Sequence, residues 1–63
     1  MSERRRKMEK IIRKAQRLAR ERKETLFIVN DDGYQIVTEE DMDTFFYGIE
    51  PVYAILSDGT VEQ

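Results

Sequence analysis

The chemistry that this sequence offers first is that of clustered cations. All 11 Lys and Arg residues of the 63-residue chain lie within its first 23 positions. Residues 1–24 carry a net charge of +7, whereas residues 25–63 carry −9. Clustered Lys and Arg neutralise phosphates, and Arg adds bidentate hydrogen bonds to phosphate oxygens. The basic segment therefore indicates a nucleic acid as one candidate ligand.

Three interpretations of the basic segment stay open from the sequence. The plainest is a solvated helix face, partly neutralised by the acidic remainder of the chain. The second is a helix that contacts RNA or DNA phosphates, although the segment has no aromatic residue to stack on a base. The third is a helix that docks into an acidic groove of a partner protein, or onto anionic lipid, for which no Trp or Phe anchor is present.

Among the functional interpretations we favour a small binding or regulatory protein that contacts nucleic acid through this helix. Phosphate contacts give affinity but little sequence choice. The residues expected to make them are Arg4, Arg5, Arg6, Lys10, Arg13, Lys14 and Arg17.

A cluster of carboxylates supplies the alternative binding surface. Glu39, Glu40, Asp41 and Asp43 lie close together in the acidic half of the chain. Anions are stabilising in the first turn of a helix, and this alone explains the cluster. The alternative function is a protein–protein module, an inhibitor or adaptor, that binds a basic partner through these residues.

Catalytic and metal-binding chemistry find little support. The chain has no His and no Cys, and neither Ser2 nor Ser57 has an evident base beside it. Aligning Gly33 with the glycine of an EF-hand calcium loop places Ile28 where the first Asp ligand belongs. We therefore predict no enzyme, no cofactor and no metal site.

The pattern of apolar residues predicts one small α+β domain over residues 1–63, in the order α-β-β-α-β-β. A long helix is expected over 3–23, with Ser2 as N-cap. Strands are expected over 25–30 and 34–38, joined by a turn at 30–33, and over about 52–56 and 60–62. The apolar stripe of the long helix consists of Met8, Ile11, Ile12, Ala15, Leu18 and Ala19.

A second, short helix is predicted between the two hairpins. Thr38 is its expected N-cap, with Asp41 in the capping-box position. Gly48 suits the left-handed residue that follows the last turn, and Pro51 prevents continuation. The residues at helical spacing on its apolar side are Met42, Phe45, Phe46 and Ile49.

The strands are apolar on both sides, which bears on self-association. An antiparallel sheet with one solvated face alternates apolar and polar residues, and "LFIV" and "VYAIL" do not. We therefore expect a homodimer that covers one face of the sheet. The alternative is that the two helices pack on opposite faces. The predicted dimer interface consists of Phe27, Val29, Val37, Tyr53 and Ile55.

The remaining expectation concerns location. The longest apolar runs have four or five residues, far short of a membrane span. The basic start is not followed by the apolar stretch of a signal peptide. A cytoplasmic protein without membrane partners is the expectation.

Overall fold

The computed structural model describes residues 3–63, with side chains from Lys7 onward. The elements follow the predicted order, so the small α+β domain is confirmed. Ser2, the predicted N-cap, lies outside the described residues. The helices are α1 (Glu3–Arg22) and α2 (Glu39–Asp43), and the strands are β1 (Leu26–Asn30), β2 (Tyr34–Thr38), β3 (Tyr53–Ile55) and β4 (Val61–Glu62).

The strands form one four-stranded sheet in the order β2-β1-β3-β4, with every pairing antiparallel. β1, one of the two inner strands, pairs with β2 across a tight turn that contains Asp32 and Gly33, both at positive φ. Gly and Asp tolerate this left-handed backbone better than most residues. The β1–β2 hairpin therefore follows from its turn chemistry.

One face of the sheet packs against α1. Ala15 and Ala19 are fully buried there, and they form the core with Leu26, Ile28 and Ile55. Two alanines in the contact stripe let the helix backbone approach the strands closely. Half-buried Ile11, Ile12, Leu18, Ile36 and Tyr53 surround this cluster.

The opposite face is covered by the connection between β2 and β3. Both strands flank β1, so the chain from Thr38 to Tyr53 must cross β1, and α2 contacts both β1 and β2. Val29 and Val37 point away from α1 by strand alternation, and both are buried. The two helices therefore lie on opposite faces of the sheet.

The predicted dimer interface does not form a single surface. Ile55 pairs with Leu26 and Tyr53 pairs with Ile28, and residues directly opposite each other share a face of the sheet. Tyr53 and Ile55 therefore lie on the α1 side.

The expectation that these two residues join Phe27, Val29 and Val37 in one interface is wrong. Strand alternation fixes which residues of one strand share a face. The register between β1 and β3 decides which residues of β3 share a sheet face with which residues of β1. This register cannot be read from the sequence of either strand alone. Homodimer formation itself stays a prediction.

The short helix begins as predicted and ends earlier. The Thr38 hydroxyl accepts a hydrogen bond from the Asp41 N–H, and the Asp41 carboxylate accepts one from the Thr38 N–H, both at 3.1 Å. The capping box is therefore confirmed. The helix ends at Asp43, and the chain continues as turns. Phe45, which was expected on the apolar side of the helix, is consequently 83% exposed. Within residues 3–63, no helix is long and apolar enough to cross a membrane.

Candidate nucleic-acid interface

The basic helix lies flat on the sheet. Its buried stripe holds it against the sheet. Two hydrogen bonds from side chains in its second half join it to the turn between β3 and β4. The side-chain amide of Gln16 donates to the carbonyl oxygen of Gly59 at 2.9 Å, and Arg20 Nε donates to the carbonyl oxygen of Asp58 at 3.2 Å. These contacts fix how α1 is rotated about its axis, and thereby which side chains point to solvent.

Four of the predicted phosphate-binding residues share the outward side of α1. Their spacings of three and four place them on neighbouring turns of one helix face. All four are exposed, and together they line an open groove of about 400 Å³. They are Lys10, Arg13, Lys14 and Arg17. Arg4, Arg5 and Arg6 continue the same helix, and their side chains lie outside the described residues.

A second basic groove opens between α1 and the β1–β2 turn. It measures about 780 Å³, and Lys7 and Lys10 line it on the helix side. Tyr34, 43% exposed, and Asn30 line it on the strand side. The aromatic ring absent from the basic segment is therefore supplied by β2. Sequence reasoning missed Tyr34 because nothing in the chain shows that the start of β2 meets the first half of α1.

The acidic cluster lies on the other side of the molecule. Glu39, Glu40 and Asp43 are exposed on α2, which packs against the sheet face opposite α1. Asp41 is half-buried, and its carboxylate is engaged by the Thr38 N–H. The sheet thus separates the carboxylates of α2 from the outward cations of α1. Charges more than a Debye length apart, about 8 Å at physiological salt, are largely screened from one another.

Two aromatic side chains that follow the acidic cluster in sequence are exposed to solvent. Phe45 is 83% exposed and Tyr47 is 85% exposed, in the turns that follow α2. Large exposed aromatic groups are enriched at protein–protein contacts. This aromatic pair was not anticipated, because the helical spacing assigned Phe45 to a buried position.

The turn between β3 and β4 holds a carboxylate with a shifted pKa. Hydrogen bonds from the Thr60 hydroxyl and N–H lower the pKa of Asp58, and the Arg20 guanidinium adds to the effect. The Thr60 N–H donates to Asp58 Oδ1 at 2.9 Å. The Asp58 carboxylate therefore helps to order the turn against which α1 is held.

The loop whose glycine aligns with that of an EF-hand calcium loop is a hairpin turn. Asn30 ends β1, Asp32 and Gly33 form the turn, and strands flank it in place of the helices of an EF-hand. Among the side chains that the structure describes, from Lys7 to Gln63, no group of three or more acidic residues is placed to hold a metal ion.

No family model matches the chain, and no match is found among curated proteins or among solved structures.

Proposed function

We propose that this protein is a small, non-enzymatic nucleic-acid-binding protein that contacts phosphates through the outward face of α1. One observation carries the proposal: four exposed cations, at positions 10, 13, 14 and 17, line a single groove on a helix held flat by its opposite side. Cations that project together from one rigid helix face can contact neighbouring phosphates without rearrangement of the backbone, and each contact releases counterions from the nucleic acid.

The position of the acidic residues favours the same function. An acidic surface beside the basic helix would repel phosphates. The carboxylates of α2 lie behind the sheet, so a phosphate backbone on the outward side of α1 meets cations first. The nearest acidic residues in sequence, Glu9 and Glu21, flank the groove on the helix itself and do not line it.

The groove that contains Tyr34 adds a second kind of contact to this proposal. A tyrosine ring stacks on an unpaired base, and an Asn side chain hydrogen-bonds to a base edge. Both groups stand beside Lys7 and Lys10. We therefore expect single-stranded nucleic acid to bind at least as tightly as a duplex at the same salt concentration.

The first test is fluorescence anisotropy with labelled duplex DNA, an RNA hairpin and single-stranded oligonucleotides. The titrations are repeated from about 50 to 300 mM salt, because each neutralised phosphate adds about 0.7–0.9 to the magnitude of the log–log slope. A slope of about −3 or steeper supports the proposal. Absence of binding to every probe at the lowest salt contradicts it.

A matched pair of charge variants identifies the surface. The double variant Arg13→Gln/Arg17→Gln removes two outward cations from the groove. The control Arg22→Gln/Lys23→Gln removes two cations, at the last residue of α1 and at the residue after it, and neither of these lines this groove. We expect the first variant to reduce the salt slope by about 2 and the control by less than about 1. Equal effects would indicate that only total charge matters, and would overturn the assignment to this face.

The alternative function, binding of a basic protein through the acidic side, is supported by a separate observation. Phe45 and Tyr47 are exposed and follow the carboxylates of α2 in sequence. Aromatic side chains often contribute much of the binding energy at protein–protein interfaces. The triple variant Glu39→Gln/Glu40→Gln/Asp43→Asn separates the two functions. It leaves nucleic-acid binding unchanged or slightly stronger if α1 is the contact surface, whereas it abolishes function if the acidic side binds the partner.

A further inference from the structure

The groove between α1 and the β1–β2 turn has two walls of different chemistry. Lys7 and Lys10 line it from the helix, and Asn30 and Tyr34 line it from the strands. Its volume of about 780 Å³ lies in the range of small-molecule binding sites. The outward cations of α1 suit any phosphate backbone, whereas this groove also offers an aromatic ring and an amide. It is therefore the part of the candidate site that can distinguish one nucleic acid from another.

Asn30 and Tyr34 lie side by side on the sheet face that packs against α1. Asn30 ends β1, Tyr34 begins β2, and the two residues are directly paired. Directly opposed residues share a face of the sheet, with Cβ atoms about 4.5–5.5 Å apart. Ile28 shares this face with Asn30 and belongs to the core beneath α1. Both Asn30 and Tyr34 are exposed, so the ring and the amide are accessible to one ligand.

The tyrosine ring is of use only to an unpaired base. In a duplex both faces of a base are covered by its neighbours, so a base must leave the stack before it can lie on an aromatic side chain. Proteins that bind single strands combine such a ring with a basic groove that follows the backbone. The same combination is present here, because Lys10 lines both this groove and the groove of outward cations.

The charges around the groove decide which part of a nucleotide faces which wall. Asp31 and Asp32 are exposed in the β1–β2 turn, and they repel a phosphate from the strand side. Lys7 and Lys10 attract a phosphate to the helix side. A bound nucleotide therefore has its phosphate toward α1 and its base toward Tyr34.

The polar groups in the groove match a purine better than a pyrimidine. An Asn amide forms two hydrogen bonds with N6 and N7 of adenine, and a Lys ammonium donates to O6 and N7 of guanine. Pyrimidines have no N7 edge. The double ring of a purine also covers more of a tyrosine ring, and differences in stacking strength produce the modest base preferences of proteins that bind single strands.

We propose that this groove binds one unpaired purine nucleotide of a strand whose phosphates follow the cations of α1. The base stacks on Tyr34, the Asn30 amide hydrogen-bonds to its N7 edge, and Lys7 and Lys10 contact its phosphates. This inference deepens the proposed function and rests on it. Without Tyr34 the base preference is lost, while the outward face of α1 still binds phosphates.

Oligonucleotides that differ in one base test the ligand by fluorescence anisotropy. The probes are an oligothymidine of about eight nucleotides, the same strand with one central adenine, and a blunt duplex hairpin. We expect the adenine strand to bind at least about threefold tighter than the all-thymine strand. Asn30→Ala should remove this preference and leave the salt slope unchanged, because Asn30 carries no charge.

Two tyrosine variants form a matched pair. Tyr34→Ala should weaken binding of the adenine strand at least about fivefold and binding of the duplex less than about twofold. Tyr34→Phe retains the ring and should bind like the wild type. Tyr47→Ala removes an exposed tyrosine from the turns after α2 and should change neither affinity. Equal affinities of the wild type and Tyr34→Ala for the adenine strand would overturn this inference and leave the proposed function of α1 standing, whereas no binding to any probe would overturn both.

NMR of the wild-type chain tests the stacking without any variant. The ring protons of Tyr34 should move upfield when the adenine strand is added, because a stacked base shields them. Adenosine monophosphate alone should cause the same shift with at least about tenfold weaker affinity, since it does not reach the other cations of α1. An unmoved Tyr34 ring at saturation with the adenine strand, or a free nucleotide that binds as tightly as the strand, would contradict the proposal.

Discussion

Gln16 and Gly59 join the middle of α1 to the turn between β3 and β4. The side-chain amide of Gln16 donates to the Gly59 carbonyl oxygen at 2.9 Å, although 43 positions separate the two residues. Gly59 is buried, and a Cβ atom placed there would lie 2.5 Å from Arg20 Nε. This glycine therefore lets the turn approach the helix closely enough for both Gln16 and Arg20 to bind its backbone.

Substitution of Gly59 by Ala is expected to destabilise the protein more than the same change at Gly48. Both glycines have positive φ, so each substitution has a backbone cost of about 1 kcal/mol. Only at Gly59 does the new methyl group also displace the Arg20 guanidinium from Asp58, adding about 0.5–1.5 kcal/mol. Urea unfolding of the two variants measures the difference. Equal losses would show that the contact with Arg20 contributes nothing.

Replacement of Ile55 by Ala tests the corrected orientation of β3. Ile55 is fully buried under α1, so its truncation should lower the free energy of unfolding by about 3 kcal/mol or more. In a domain of this size such a loss is a large part of the total stability. Phe45→Ala removes a larger side chain that is 83% exposed, and we expect a change below about 0.5 kcal/mol. Thermal unfolding of both variants checks this contrast, and a reversed order would refute the assigned register.

The capping box of α2 is expected to contribute measurably to stability. Thr38→Ala removes the acceptor for the Asp41 N–H and should cost about 1 kcal/mol. Thr38→Ser retains the hydroxyl and should recover most of the loss. Chemical denaturation compares the two variants with the wild type. If serine behaves like alanine, the methyl group of Thr38 matters and the hydrogen bond does not.

Asp58 should make part of the stability depend on pH. Its pKa is lower in the folded state than the ordinary value of 3.8, chiefly through the Thr60 hydroxyl. Its contribution is therefore present above that ordinary value and is lost as the pH falls through the folded-state pKa. We expect Asp58→Asn to be less stable than the wild type at neutral pH, with a difference that vanishes in acid.

Two measurements follow the Asp58 effect. Unfolding experiments across the acid range compare the wild type with Asp58→Asn. A carbon-13 NMR titration of the carboxyl group reports its pKa directly, and Thr60→Val should raise that value toward normal because the hydroxyl donor is gone. An unchanged pKa in Thr60→Val would show that the hydroxyl does not cause the shift.

Much of the fold could be predicted because its signals are local. The turn at Asp32 and Gly33, the cap at Thr38 and the helical stripe through Ala15 and Ala19 each depend on residues close together in sequence. Elements and their order followed from these signals. The end of α2 did not, because the spacing of Phe45 and Phe46 resembles a helical pattern although the chain there forms turns.

The arrangement of the elements could not be predicted, because it depends on pairings between distant residues. The register that sets Ile55 beside Leu26 is decided by packing under α1, so the face on which β3 places each side chain was misjudged. The cations of the candidate site were evident in the sequence. Their partner Tyr34 was not, since only the tertiary fold brings β2 beside the first half of α1.

The position of β1 between β2 and β3 has a consequence for how the chain folds. Pairing of β1 with β2 closes only a short turn. Pairing of β1 with β3 closes a loop that contains the whole β2–α2 segment. Loop-closure entropy makes such distant contacts slow to form. We therefore expect α1 and the first hairpin to assemble early, with Ile28 open to solvent on one side. The arrival of β3 would be the late event that seals the core.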